Sequence, residues 1–359
     1  MRFEFLSSTP PSPTEGSGTW VAIDGVMRGL ERLGHRARLR SIGRRTGFHT
    51  LDRWRYNRAL LRRPPDADVV IGVDLDGYAW ARRRPPGVLY AVTLKGIIAD
   101  ELRNERGLVR ALLTLQARWE RANVHRAERV IVPSRYSAGV AHEVYGVPRE
   151  RIAVVPEPID LAEWRRRFAG APPRAAGPPT VLSVARMYPR KRLEDLVRAA
   201  ARLRSRIPDL RVRIVGGGPE SVRLHTLTAS LGLAGVVTFL GEISRSALAV
   251  EYVGADCFCL PTIQEGFGLV FAEAMAAGLP IVACRAAAVP EVVEDGRTGL
   301  LVKPLDVEEL AKGMETLLTN AALRAEMGAT GRRRVEELDL DRVATRLLAA
   351  LPAQGRPGA

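Results

Sequence analysis

Residues 265–273 read Glu265-Gly266-Phe267-Gly268-Leu269-Val270-Phe271-Ala272-Glu273, two carboxylates with seven residues between them around a glycine-flanked turn. The apolar run Cys257-Phe258-Cys259-Leu260 before it has strand character, and Leu269 to Ala277 after it consists of helix formers. The turn therefore leaves the C-terminal end of a strand and opens a helix, which is where α/β sheets bind ligands. Gly266 and Gly268 allow backbone N–H groups to come close to a ligand, with Glu265 just before the helix and Glu273 on its second turn. A carboxylate only accepts hydrogen bonds and repels other anions. The expected ligand presents hydroxyl groups here, as a sugar does.

Strand-like and helix-like segments alternate on both sides of this turn. Short runs rich in Val, Ile or Leu at Arg2–Ser7, His35–Arg40, Asp68–Val73, Val88–Leu94, Arg129–Ser134 and Ile152–Glu157 predict strands. Thr19–Leu33, ending at Gly34, and Leu108–His125 carry apolar residues at helical spacing. A second series runs through Thr180–Ala185, Arg211–Val215, Val236–Leu240, Cys257–Leu260, Pro280–Ala283 and Gly299–Val302. Each series predicts a mostly parallel, doubly wound sheet. The fold class is α/β, two Rossmann-like domains facing a central cleft. The first is expected over residues 1–165 and the second over 180–340. The Pro- and Gly-rich stretch 166–179 reads as a linker that holds neither helix nor central strand, and 341–359 as a C-terminal helix and tail.

With 359 residues, 46% of them hydrophobic, the chain is long enough for two compact domains. The first residues are too short and polar for a signal peptide, and no run of eighteen apolar residues occurs, so a soluble cytoplasmic protein is expected. Cys257, Cys259 and Cys284 form no disulfide framework and no zinc spacing, and read as small core residues. The net charge of +14 is uneven, about +11 in residues 1–170 and +3 in the rest, and nearly all the cations are arginine. No nucleic-acid-binding signature accompanies it. The basic half points to an anionic or lipid-linked acceptor and to peripheral contact with the inner membrane face, against a background of arginine used simply as solvated surface.

Arg186-Met187-Tyr188-Pro189-Arg190-Lys191 follows the first strand of the second series. A turn through Pro189 brings Arg186 and Lys191 together, two cations suited to a diphosphate whose charge grows as it leaves. Gly216-Gly217-Gly218-Pro219-Glu220 also follows a strand and opens a helix, but it lacks the dinucleotide spacing and reads either as a nucleotide-contacting loop or as a tight turn. Gly16 and Gly18 lie in a Ser-, Thr- and Pro-rich loop. They are placed to offer backbone N–H groups to a diphosphate or an acceptor, or to form a flexible connector. Asp74-Leu75-Asp76 has metal-ligand spacing, yet its place after the third strand favours capping or solvent exposure. The histidines show no metal spacing, and no metal site is expected.

At Glu265–Glu273, and at Arg186 with Lys191, the chain resembles the retaining glycosyltransferases of family 4, which have the GT-B fold. The resemblance implies transfer of a sugar from a UDP-, GDP- or ADP-linked donor to an acceptor hydroxyl with retention. The nucleotide-sugar is then a substrate, and neither cofactor nor metal is needed. By the same resemblance Glu265 contacts the donor sugar with the backbone of Gly266, Phe267, Gly268 and Leu269, and Glu273 binds the ribose. Arg186 and Lys191 hold the diphosphate, and Gly216–Gly218 form the nucleotide turn. The chain departs from the pattern at three positions. Arg192 stands where glycine usually follows the Arg-x4-Lys pair, Lys95 where many members have histidine, and Glu157 where asparagine is common. A lysine keeps a positive contact to sugar or phosphate but cannot act as a neutral acceptor. Two rivals follow, a sugar-nucleotide epimerase or hydrolase on the same fold and a nucleotide-sugar-binding protein without turnover.

Overall fold

The computed structural model describes residues 1–11, 17–43, 45–104, 106–174 and 177–352. The chain divides into two compact units, Met1–Pro158 with Leu340–Ala359, and Ile159–Asp339.

The first unit holds a six-stranded parallel sheet in the order β2-β1-β3-β4-β5-β6. Its strands are β1 Arg2–Ser7, β2 Arg36–Ser41, β3 Val69–Val73, β4 Leu89–Thr93, β5 Arg129–Val132 and β6 Ile152–Val154. β3 and β4, Val-Val-Ile-Gly-Val and Leu-Tyr-Ala-Val-Thr, are buried throughout, as central parallel strands covered on both faces must be. Edge strand β2 alternates arginine with smaller residues. Arg38 and Arg40 reach back to the buried Glu4 on β1 at 2.7 and 2.5 Å, so its charge blunts an open edge.

Helix Leu340–Ala350 belongs to this unit. Leu340, Val343, Ala344 and Leu347 form its buried stripe at helical spacing and pack with Ile23, Val26 and Leu30 of helix Ser17–Arg32. Gly29 allows the approach, since a methyl there would sit 2.5 Å from the Leu340 carbonyl oxygen.

The second unit repeats the design with sheet order β12-β11-β10-β7-β8-β9. Its strands are β7 Thr180–Val184, β8 Arg211–Val215, β9 Val237–Gly241, β10 Cys257–Leu260, β11 Ile281–Cys284 and β12 Gly299–Val302, and all pair in parallel. The three cysteines lie in β10 and β11 and are buried and unpaired in disulfides. Burial pushes the Cys257 and Cys284 thiols up to about 12, so they act as core side chains.

The division differs from the expected boundaries of 165 and 180. Residues 161–169 form a helix of the second unit, not the end of the first domain or the start of a linker. Asp160 caps it by accepting from Glu163 N–H at 2.9 Å, and Glu163 pairs with Arg167 one turn on. Leu161, Trp164 and Phe168 supply its apolar face, with Trp164 packed edge-on to Tyr252 at 5.6 Å. The arginines at 165–167 obscure that face in the sequence, and helix-breaking composition starts only at Gly170.

Candidate functional site

In the second sheet the strand order reverses between β10 and β7, so the chain leaves these neighbouring strands in opposite directions. Such a switch point opens a crevice at the carboxyl ends of the strands. The segments that emerge there are Arg186–Lys191 after β7 and Pro261–Gly268 after β10.

Backbone contacts bind the two segments together. Pro189–Lys191 makes a single 3-10 turn, and the Arg190 carbonyl accepts from Ile263 N–H at 3.0 Å and from the buried Thr262 hydroxyl at 3.2 Å. The Arg190 guanidinium donates to the Gln264 carbonyl at 3.3 Å. This stitching places the Lys191 ammonium on Glu265 Oε1 as an ion pair with side chains only 12% and 9% exposed. Arg186 is more open, 41% exposed, and contacts Glu242 at 3.7 Å. Each cation of the expected pair thus has its own carboxylate partner. Glu242, one residue past β9, is absent from the sequence reading, and its position just beyond a strand end was its signal.

Arg192 takes a left-handed conformation, φ 52° and ψ 35°, where glycine would be unstrained. Its guanidinium returns to the first turn of the following helix and grips Asp195 at 2.8 and 2.9 Å. The bidentate contact offsets the backbone cost of a non-glycine residue, so the turn survives the departure from the family pattern.

Gly216–Gly218 lies against the Arg186 segment. Met187 N–H donates to the Gly217 carbonyl at 2.8 Å, and Glu220 N–H to the Met187 carbonyl at 3.0 Å. Gly216 has φ 116°, and a methyl there would drive into the Ala185 carbonyl oxygen. At Gly218, φ 151°, it would come within 2.8 Å of Met187 N. Two of the three glycines are therefore required by backbone packing, which supports the loop that carries Arg186.

Gly268, φ 91°, turns the chain into helix Leu269–Ala277, and Phe267 is buried beside it. Glu273 Oε2 accepts from the Tyr252 hydroxyl at 3.0 Å. Burial pushes its carboxyl up to about 7, against the pull of Arg245 and that hydrogen bond. Tyr252, on helix Arg245–Gly254, is a second residue missed from sequence, being one aromatic on a helix with no motif around it.

The remaining expected residues lie in the first unit. Gly18 is exposed in the first turn of helix Ser17–Arg32, and Gly16 falls outside the described residues. Lys95 Nζ contacts Glu157 Oε2 at 2.7 Å, so the two departures from the family pattern touch each other. Asp74 and Asp76 are not solvent-exposed; each instead accepts from a backbone N–H, as a capping side chain does. Asp76 is buried and accepts from Ser8 N–H and hydroxyl at 2.6 and 2.7 Å and from the Asn57 amide at 2.9 Å. Asp74 Oδ1 accepts from Lys95 N–H at 2.8 Å, and burial pushes its carboxyl up to about 6. Just beyond β3 these carboxylates organise loops by holding Ser8, Asn57 and Lys95. Among the described residues no group of three or more His, Cys, Asp or Glu side chains is placed to hold a metal, and no helix is long and apolar enough to cross a membrane.

Two parallel, doubly wound six-stranded units make up the GT-B fold, and solved structures share it. Sucrose-phosphate synthase from Thermosynechococcus elongatus superposes with a TM-score of 0.80 at 22% identity over 97% of each chain. WaaG, a glycosyltransferase involved in lipopolysaccharide biosynthesis, gives 0.76 at 19% identity over 98% of this chain and 100% of its own. The family model for glycosyl transferases group 1 matches residues 165–334 and that for glycosyltransferase family 4 matches 28–163, and the chain belongs to the family-4 glycosyltransferases. A curated relative is the GDP-mannose-dependent alpha-(1-6)-phosphatidylinositol monomannoside mannosyltransferase of Mycolicibacterium smegmatis. It is 37% identical over 55% of this chain and 51% of its own length. The chain spans about half the length of the curated relatives it matches.

Proposed function

We propose that this chain transfers a hexosyl group from a nucleotide-diphosphate sugar to an acceptor hydroxyl with retention of configuration, using neither metal nor cofactor. The Lys191–Glu265 pair at the β7/β10 switch point carries the reading. It joins a phosphate-binding cation to a hydroxyl-binding carboxylate where sugar and diphosphate meet. An ammonium has three donors, enough to hold Glu265 and a phosphate oxygen together. Arg186 and Lys191 stabilise the diphosphate as the bond to the anomeric carbon breaks and its electron pair passes to the leaving oxygen. Glu265 and the N–H groups at Gly266–Leu269 hold the sugar. The acceptor hydroxyl attacks from the side the diphosphate leaves, and its proton passes to the departing phosphate oxygen. Glu273 receives the ribose hydroxyls, and Gly216–Gly218 back the nucleotide.

Thermal-shift titration with GDP, UDP and ADP and their sugars tests the donor assignment. One nucleotide is expected to stabilise the chain by about 2.7 kcal/mol at a hundred times its Kd. No shift with any of them would remove the reading. The carboxyl of Glu273, lifted to about 7, accepts at both oxygens from the ribose hydroxyls only when ionised, so affinity is present above pH 7 and lost as pH falls through it. Between pH 8 and pH 6 the wild type should weaken by about tenfold. Glu273→Gln should show no such slope, and an identical slope would withdraw the ribose role.

The acceptor is lipid-linked and its anionic part meets the first unit. Helix His49–Arg62 exposes Leu51 and Trp54 among Arg55, Arg58 and Arg62, with Phe48 72% exposed just before it. Apolar side chains interleaved with arginine suit an anionic lipid surface. Co-sedimentation with phosphatidylglycerol vesicles is expected, weakening with salt and with Trp54→Ser. Equal recovery with phosphatidylcholine would count against it.

A further inference from the structure

Lys95 and Glu157 are 62 residues apart in the chain and share one contact. Lys95 stands two residues beyond β4, where its N–H is anchored on Asp74 Oδ1 at 2.8 Å, at the end of β3. Its ammonium reaches Glu157, three residues beyond β6, at 2.7 Å, and the two side chains are 10% and 7% exposed. Asp74 holds φ 54°, an unusual conformation for a non-glycine residue, and Asp74 N–H and carbonyl are both engaged, by Thr93 and Asn123. Three residues from three strand ends thus meet at the C-terminal end of a parallel sheet, where ligands bind, with Glu157 on the Lys95 ammonium and Asp74 on its backbone N–H.

We propose that Lys95 and Glu157 act as one specificity-determining pair, which makes this part of the acceptor site take the hydroxyl groups of an uncharged polyol and reject a phosphate. The proposal rests on the assignment of the first unit to the acceptor. A hydroxyl can donate to Glu157 or Asp74 and accept from Lys95 without breaking their contacts. A phosphate reaches Lys95 only by displacing Glu157, which leaves a nearly buried carboxylate unpaired. The strongly basic composition of this half therefore does not extend to its ligand-binding edge. The anionic part of a lipid-linked acceptor lies out on the exposed arginines, and the end that reacts is neutral.

Binding of myo-inositol and of inositol 3-phosphate to the full chain, measured by ligand-detected NMR without donor, tests the pair. Glu157→Gln frees the ammonium and is expected to bind inositol 3-phosphate about tenfold tighter than the wild type and than Lys95→Met/Glu157→Gln, the size of one charge-assisted hydrogen bond. Affinity for myo-inositol should change little, and Glu157→Asp should keep the wild-type preference. Equal affinity of Glu157→Gln and the double variant for the phosphate ester overturns the proposal, because an ion pair that served only folding would lose stability and gain no phosphate. If Glu157→Gln does not fold, Lys95→His/Glu157→Asn takes its place, and retained discrimination against the phosphate ester overturns it equally. Because no turnover is read, failure here is distinct from failure of the transfer reaction, which the Arg186 and Lys191 variants report.

Discussion

Lys191→Ala is expected to lower turnover by about a hundredfold or more, the loss typical of one preorganised group facing developing charge. Arg186→Ala should lose a similar factor, but the two should differ in stability. Lys191 leaves behind Glu265, a carboxylate only 9% exposed, whereas Arg186 leaves Glu242, which is 52% exposed and can be hydrated. An uncompensated buried charge costs about 3 kcal/mol or more, and a solvated one about 0–1 kcal/mol. Lys191→Ala should therefore melt clearly below the wild type and Arg186→Ala close to it. Adding Glu265→Gln to Lys191→Ala should restore much of the melting temperature and none of the turnover. Steady-state rates and thermal melts on the three variants check this, and near-normal rates in either single variant would refute the diphosphate role.

Gly216→Ala is expected to destabilise the second unit by about 3 kcal/mol or more, combining a disfavoured φ with a backbone collision. The new methyl would meet the Ala185 carbonyl, and relief requires moving the segment that carries Arg186. Donor affinity should fall with stability. Gly217→Ala is the control, since its nearest neighbour would be Glu242 Oε1 at 4.0 Å, and it should stay within about 0.5 kcal/mol of the wild type. Denaturant unfolding of both variants decides the matter. Equal behaviour would mean that the triplet is an ordinary turn with no demand at Gly216.

All twelve strands are legible in the sequence: the central parallel ones are covered on both faces and read as apolar runs, and edge strand β2 shows as an alternation of arginine with smaller residues. Helices with polar buried positions were harder to read. His49–Arg62 buries Asp52 and Asn57 beside Tyr56 and Leu60, which blurs its apolar period, and the arginine run hides Leu161–Ala169 in the same way. In the candidate site, Glu265 and Glu273 are legible because their spacing is local to one turn and one helix. The partners of the site residues are not. Lys95 with Glu157, Arg186 with Glu242 and Glu273 with Tyr252 are joined only by the order of the strands, and single positions carry no mark of it. Arg192 shows the converse, a departure that looks disruptive in sequence and is compensated three residues later by Asp195.

Helix Leu340–Ala350 completes the core of a unit whose other residues end at Pro158. In order of synthesis, the second unit is an insertion within the first. Along the chain, the whole second unit lies between the residues of the first unit and the stripe that covers Ile23, Val26 and Leu30. A fragment stopping at Pro158 is thus an unclosed domain whose apolar stripe of Ile23, Val26 and Leu30 stays open until helix Leu340–Ala350 is supplied, so the first unit is one that cannot be cut out as a single continuous segment.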